Sequence, residues 1–228
     1  MSMELLARKI GDVNGDGVPD LVYLTGTRPF PDSPFRENIT LWIQDGKTRR
    51  IYQLPLKTSM GYQPSLFLGD FTGNRIDDIF INMFSGGSGG LTYNYVYSFV
   101  QNDPKILFDY EVFNDLYHYK VDYLDGFKVK VTGIETGNSF IIDIQYKGKE
   151  YLDQLYDEDG KLKNPVEGSV NALGGLYPVD FQGIGVYDLL AYQRIIGLYN
   201  ADGLGWLNTY LRWKESTFEP YNQTIQIF

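Results

Sequence analysis

An all-β fold built from repeated strand groups is what this sequence predicts, and three observations carry the prediction. The first is aromatic content. The 19 Tyr, 14 Phe and 3 Trp are residue types that suit half-buried pleated surfaces. The second is glycine placement. The 25 Gly fall mostly in short clusters between apolar runs, as turns require. The third is an internal repeat, which decides the architecture. G-D-V-N-G-D-G-V-P-D-L at 11–21 returns as G-D-F-T-G-N-R-I-D-D-I at 69–79 and as V-D-F-Q-G-I-G-V-Y-D-L at 179–189. All three share Asp, then Gly three later, then Asp five after that, then Leu or Ile.

The frames begin at Asp12, Asp70 and Asp180, so the spacings are 58 and 110 residues. The second spacing is close to twice the first, which predicts a degenerate copy near position 125. Y-K-V-D-Y-L-D-G-F-K-V-K-V lies there, with strand alternation on both sides of Asp125-Gly126 but no full motif. Four units of about 57 residues, at 4–60, 61–115, 116–165 and 166–228, fill the chain as one domain, 1–228.

Taken in order, each unit reads as strands. In the first, E-L-L-A-R-K-I enters the loop and L-V-Y-L-T leaves it. N-I-T-L-W-I follows, then a Q-D-G-K hairpin turn and R-I-Y-Q-L-P-L. The second runs S-L-F-L, D-I-F-I-N-M-F, N-Y-V-Y-S-F-V and I-L-F-D-Y-E-V-F. The last runs L-Y-P-V, L-L-A-Y-Q-R-I-I, L-N-T-Y-L-R-W and T-I-Q-I-F. An aromatic of the third strand follows the frame Asp at similar distance each time: Trp42, Phe99, Trp213. The one helix candidate is K-E-Y-L-D-Q-L-Y at 149–156, whose apolar spacing fits a short amphipathic piece. Three or four short strands per unit, bounded by Gly, Asn, Asp and Pro, match one blade of a β-propeller. The expected fold is a small propeller of about four blades, with five as the alternative.

Composition removes several classes. With no Cys, thiolate catalysis, zinc–thiolate clusters and a disulfide framework are excluded. The net charge of -9 argues against nucleic-acid binding, which needs clustered Lys and Arg, and is compatible with cations. No apolar run approaches eighteen residues, so no membrane span is expected. The N-terminus lacks the basic-then-apolar pattern of a signal peptide.

The first loop has the residue types of a calcium site. Calcium takes six to eight oxygen ligands and tolerates irregular geometry. Asp12, Asn14 and Asp16 fall at alternate positions, followed by the Val18 carbonyl and Asp20. An EF-hand would need Glu at the twelfth position and flanking helices. The twelfth position is Tyr23, and a strand pattern follows. The second loop offers Asp70, Thr72, Asn74, the Ile76 carbonyl and Asp78, with Arg75 where Gly is wanted. The last has Asp180, Gln182, Ile184, the Val186 carbonyl and Asp188, and Ile184 removes a ligand outright. Calcium is expected in the first loop, less so in the second, and turns held by capping aspartates are the alternative for the later copies.

D-V-N-G-D-G-V-P-D-L-V between strands, repeated at blade spacing, resembles the FG-GAP (VCBS-type) repeat of integrin α-chain propellers and bacterial surface proteins. The resemblance implies a propeller with structural calcium in its strand-connecting loops and an extracellular or cell-surface setting. It covers three of the four units. The Phe-Gly and Gly-Ala-Pro signatures that name the repeat are absent.

Two function classes remain. One is a noncatalytic binding or adhesion module for a protein or glycan. The lone histidine, His118, sits among aromatics in L-Y-H-Y-K, and no G-x-S-x-G elbow occurs. The other is a carbohydrate-active enzyme, a glycoside hydrolase or lyase using Asp/Glu in the propeller funnel, which would require two carboxylates about 5–10 Å apart in a solvated pocket away from the calcium loop. S-G-G-S-G-G at 85–90 lacks the Lys-Ser/Thr and the helix of a phosphate cradle and reads as a turn between strands. D-E-D-G at 157–160 reads as a solvated turn.

Overall fold

A computed structural model describes residues 2–227. The regular structure of the chain is mostly strand. In the first half run β1 (Glu4–Gly11), β2 (Asp20–Thr27), β3 (Phe35–Gln44), β4 (Ile51–Pro55), β5 (Gly61–Gly69), β6 (Asp78–Phe84), β7 (Thr92–Ser98) and β8 (Lys105–Asp109). A helix, α1 (Tyr110–Leu116), leads to β9 (Tyr119–Leu124), β10 (Lys128–Gly133) and β11 (Ser139–Asp143). A second helix, α2 (Lys149–Leu155), precedes β12 (Glu167–Val179), β13 (Asp188–Ile196), β14 (Gly203–Lys214) and β15 (Thr217–Ile227).

The strands form two sheets. In one, the order is β1-β2-β3-β5-β6-β7-β8, with β4 paired to β3. In the other it is β11-β10-β9-β12-β13-β14-β15. Most neighbours in each order are consecutive in sequence, as short turns dictate. The Q-D-G-K hairpin sets β3 against β4 from Gln44↔Ile51 to Thr40↔Pro55. The link between β3 and β5 is only two pairs long, Phe35↔Tyr62 and Arg36↔Gly61. S-G-G-S-G-G joins β6 to β7, closed by the Ser85 N–H on the Leu91 carbonyl at 2.9 Å.

Two compact units divide the chain. Residues 1–110, 176–190 and 211–220 make the first; residues 111–175, 191–210 and 221–228 make the second. The first has an aromatic core. Phe71 is buried and packs its ring on Phe67, Phe80, Tyr187 and Phe218, and Phe218 also meets Phe108 and Trp213. The second has a core of Val121, Tyr123, Val129, Val131, Ile142 and Ile144, with Leu155 of α2, Tyr156, Ile195, Leu204 and Leu207. β10 buries every second residue, which is the alternation that marks its sequence as a strand.

Three local expectations change. The segment near 125 is no loop of the repeat type: Leu124 pairs with Lys128 and the chain turns tightly between them. I-L-F-D-Y-E-V-F, expected as one strand, breaks at Asp109 into α1. There Tyr110 and Phe113, three apart, are both buried, a spacing that a helix places on one face. Of the three aligned aromatics, Trp42 and Trp213 lie in β3 and β14, whereas Phe99 falls just past the end of β7. Among the described residues no helix is long and apolar enough to cross a membrane.

Candidate functional site: the stacked repeat loops

Each repeat loop is closed by its own first aspartate. The Asp12 carboxylate accepts the N–H of Gly15 at 2.7 Å and of Gly17 at 2.8 Å. Asp70 accepts those of Thr72, Gly73 and Asn74 through Oδ1 and of Arg75 at 2.7 Å through Oδ2. Asp180 accepts those of Gly183, Ile184 and Gly185. This nest of amides, the Gly185 bond foremost, holds the Asp180 carboxyl below the usual carboxylate range. Two left-handed residues curl the loop around the carboxylate. They are Gly15 and Gly17, Gly73 and Arg75, and Gly183 and Gly185, with φ between 68° and 83°. Glycine adopts that region freely. Arg75, at φ 68°, carries the strain that its sequence position announces.

In the first two frames the last aspartate turns back on the loop's entry. Asp20 accepts the Val13 N–H at 3.0 Å and Asp78 the Phe71 N–H at 3.1 Å. The second partner then differs from loop to loop. Asp20 takes the Gly46 N–H from the β3–β4 hairpin at 2.9 Å. Asp188 is gripped by both arms of Arg212, at 3.0 and 2.8 Å. In the second loop, Asp78 Oδ1 and Thr72 Oγ1 are buried and have no hydrogen-bond partner among the described residues. Burial pushes the Asp78 carboxyl up to about 7 and raises Asp20 as well.

The loops are stacked through their backbones. The Asp77 N–H donates to the Asp12 carbonyl at 3.1 Å, and the Tyr187 N–H donates to the Asp70 carbonyl at 2.8 Å. Donor and acceptor hold the same places in both bonds, the seventh residue past one frame Asp and the frame Asp of the preceding copy. At that seventh place the first loop carries Pro19, which has no N–H to give. The residue before the frame Asp follows the same logic. Gly11 has Asp77 Oδ2 lying 2.5 Å from where a Cβ would stand, and Gly69 has the Tyr187 ring at 2.9 Å. Val179 occupies this place in the last copy. Ile76 also reaches the first loop, its Cδ1 2.5 Å from the Cβ position of Gly15.

For calcium the donor set has the right chemistry, all oxygen with three carboxylates in the first loop. Several of these side chains are engaged with backbone groups of the loop itself. Asn14 Oδ1 accepts the Asp16 N–H at 3.0 Å, and its carbonyl takes the Gln101 N–H at 2.9 Å. Asp16 Oδ1 accepts the Val18 N–H at 2.8 Å, and its Oδ2 faces exposed Lys47 at 4.0 Å. Asn74 Oδ1 accepts the Ile76 N–H at 2.8 Å. Among the described residues, no group of three or more Asp, Glu, His or Cys side chains is placed to hold a metal. The lone histidine is exposed and bonded through Nδ1 to Glu135 at 2.7 Å.

The second unit holds features that residue spacing hides. A cavity of about 600 Å3 lies beside α2, lined among others by Phe127, Lys149, Asp153, Tyr156 and Glu158. The helix and the turn leading into it are pinned on buried Asp202. Lys147 Nζ donates to Asp202 Oδ1 and to the Gly203 carbonyl, both at 2.6 Å. The Tyr151 hydroxyl donates to Asp202 Oδ2 at 2.7 Å and meets the Tyr123 hydroxyl at 2.7 Å. Burial alone would raise Asp202; the Lys147 and Tyr151 bonds outweigh it, so its carboxyl sits below the usual range. Nothing in sequence links Lys147 to a residue 55 positions away.

These features define an all-β protein, and the family model described as FG-GAP-like repeat matches residues 11–81, which hold both of the first two loops. A second model, the YybI C-terminal domain, matches residues 117–226. The chain is 47% identical over 227 residues to the uncharacterized protein YybI of Bacillus subtilis (strain 168), covering 100% of this chain and 86% of that protein. The chain therefore belongs to the YybI family. No solved structure matches it.

Two outcomes follow from this geometry. Gly69→Ala forces a Cβ against Tyr187 and is expected to cost about 1–3 kcal/mol in urea denaturation, whereas Val179→Ala, at the equivalent place of the last copy, costs less. Equal losses would contradict the stacking. Asp78 keeps a proton up to about pH 7 in the folded state and only to about pH 4 unfolded. Its contribution is thus present at acid pH and lost as pH rises through 7. Asp78→Asn is expected to gain stability relative to the parent between pH 5 and pH 8. A difference independent of pH would overturn the assignment.

Proposed function

We propose that this chain is a noncatalytic binding module, a calcium-stabilised β-propeller of about four blades, resembling the VCBS-type and integrin α-chain repeats and presenting a surface to a protein or glycan. The observation that supports it most is the use of the repeat carboxylates. Asp12, Asp70 and Asp180 close their own loops, and Asp20, Asp78 and Asp188 tie down the entries or strand partners of those loops. Repeat chemistry here is directed at architecture. The FG-GAP-like match over 11–81 agrees with that reading.

Calcium acts in this proposal on the loops alone. The first loop has the most carboxylates; the second has two buried oxygens, Thr72 Oγ1 and Asp78 Oδ1, without a hydrogen-bond partner among the described residues. Each carboxylate oxygen that accepts one N–H retains a further lone pair. Millimolar calcium is expected to raise the melting temperature and EDTA to lower it, with Asp16→Ala removing most of the response. An unchanged melting temperature would remove calcium from the account.

One observation favours a second reading, a carbohydrate-active enzyme: Asp153, Asp157 and Glu158 share the cavity beside α2, and paired carboxylates are the machinery of glycoside hydrolysis. A glycan array run beside a glycoside-hydrolysis screen separates the two. Saturable binding without turnover supports the module; turnover abolished by Asp153→Asn or Glu158→Gln would replace it.

A further inference from the structure

The three repeat copies satisfy their last aspartate in three ways. Asp20, Asp78 and Asp188 are all buried, and a buried carboxylate needs donors, a cation or a proton. Asp20 accepts two backbone N–H groups, those of Val13 and Gly46. Asp78 accepts that of Phe71, and burial raises its carboxyl. Asp188 has a guanidinium. Arg212 donates from Nε to Oδ1 at 3.0 Å and from Nη2 to Oδ2 at 2.8 Å, the side-on fork that matches a carboxylate.

The same guanidinium reaches a second position of the frame. With the Gln182 amide oxygen turned toward it, that oxygen accepts Nη1 at 3.1 Å and Nη2 at 2.8 Å. The donors dictate this orientation, because the amide nitrogen would otherwise face them. Gln182 and Asp188 hold the third and ninth positions of the frame, where the first loop has Asn14 and Asp20. Arg212 therefore bridges two of the five positions that the first loop offers to calcium. At the fifth position Ile184 is exposed and brings no side-chain oxygen. At the first, the Asp180 carboxylate is taken by the amides of Gly183, Ile184 and Gly185. A divalent cation entering here meets a fixed positive charge. The residues of the last loop do not fit calcium.

The sequence carries the same pattern independently. Arg212 stands one place before the third-strand aromatic Trp213, and the places before Trp42 and Phe99 hold uncharged Leu41 and Ser98. The copy that lacks an oxygen ligand at the fifth position is the copy with a cation on this strand. In the first loop the ion pair is of another kind: Lys47, exposed and 4.0 Å from Asp16, is a surface contact of little strength.

We propose that Arg212 is the resident cation of the last repeat loop, its guanidinium standing in for a metal between Gln182 and Asp188. This copy is then metal-independent, and calcium is confined to the earlier loops. The proposal rests on the calcium-stabilised reading and specifies which loops that reading covers.

The test is melting of the full chain in EDTA and in millimolar calcium, with calorimetric calcium titration, for the parent, Ile184→Asp, Arg212→Gln and the double variant I184D/R212Q. Arg212→Gln is expected to melt at least about 2 °C below the parent in EDTA. I184D/R212Q is expected to bind one calcium more than the parent and to recover stability in calcium. Ile184→Asp alone, with the guanidinium in place, is expected to bind no more than the parent. An unchanged melting temperature for Arg212→Gln overturns the proposal, and so does extra calcium bound by Ile184→Asp alone. If Arg212→Gln does not fold, the comparison is read as recovery of folded I184D/R212Q by calcium, and no recovery overturns it. A parent unmoved by calcium removes the calcium reading instead, and the Arg212 assignment then stands or falls on I184D/R212Q against Ile184→Asp.

Discussion

The carboxylate of a frame aspartate, wrapped by backbone N–H groups of its own loop, is the constraint on which the first unit depends. A turn that reverses a strand leaves several amides facing inward with no ladder to join, and buried amides without partners are costly. Asp12, Asp70 and Asp180 supply the acceptors. With the amides gathered inward, each loop presents a carbonyl outward at a fixed place. That carbonyl on Asp12 and Asp70 receives the next copy. One side chain therefore organises two levels of structure, the turn and the register between turns.

This explains why the frame outlasts its ligands. Thr72 and Ile184 stand where the first loop has Asn14 and Asp16, and the loop geometry survives both changes. The fourth and sixth residues of every loop, Gly15 and Gly17, Gly73 and Arg75, Gly183 and Gly185, point their backbone amides at the frame Asp whatever side chains stand at the metal-type third and fifth positions. The positions that persist, Asp, Gly and Asp, are those whose side chain or φ the turn itself requires.

Strands, loops and α2 were legible because their determinants are local. Alternation marks β9 and β10, and Asp-x-x-Gly marks a left-handed turn. The break at Asp109 was not legible, because I-L-F-D-Y-E-V-F alternates as well as any strand; α1 is selected by burial of Tyr110 and Phe113 and by Asn114, whose side chain accepts the Leu173 N–H at 2.9 Å. Stacking of the loops is carried by backbone bonds, which leave no side-chain signature beyond Gly11, Gly69 and Pro19. The cavity and its pinned helix were hidden for a different reason: Phe127, α2 and Asp202 are far apart in sequence, and D-E-D-G looks like any solvated turn until Gly160 is seen against the Phe127 ring.

The most direct measurement of the central claim is amide hydrogen exchange of Asp77 and Tyr187, read by NMR under native conditions. If their N–H groups are bound to the carbonyls of Asp12 and Asp70, both exchange as slowly as core amides of β6, although both sit in loops. Exchange at the rate of open loop amides at either position would contradict the stack.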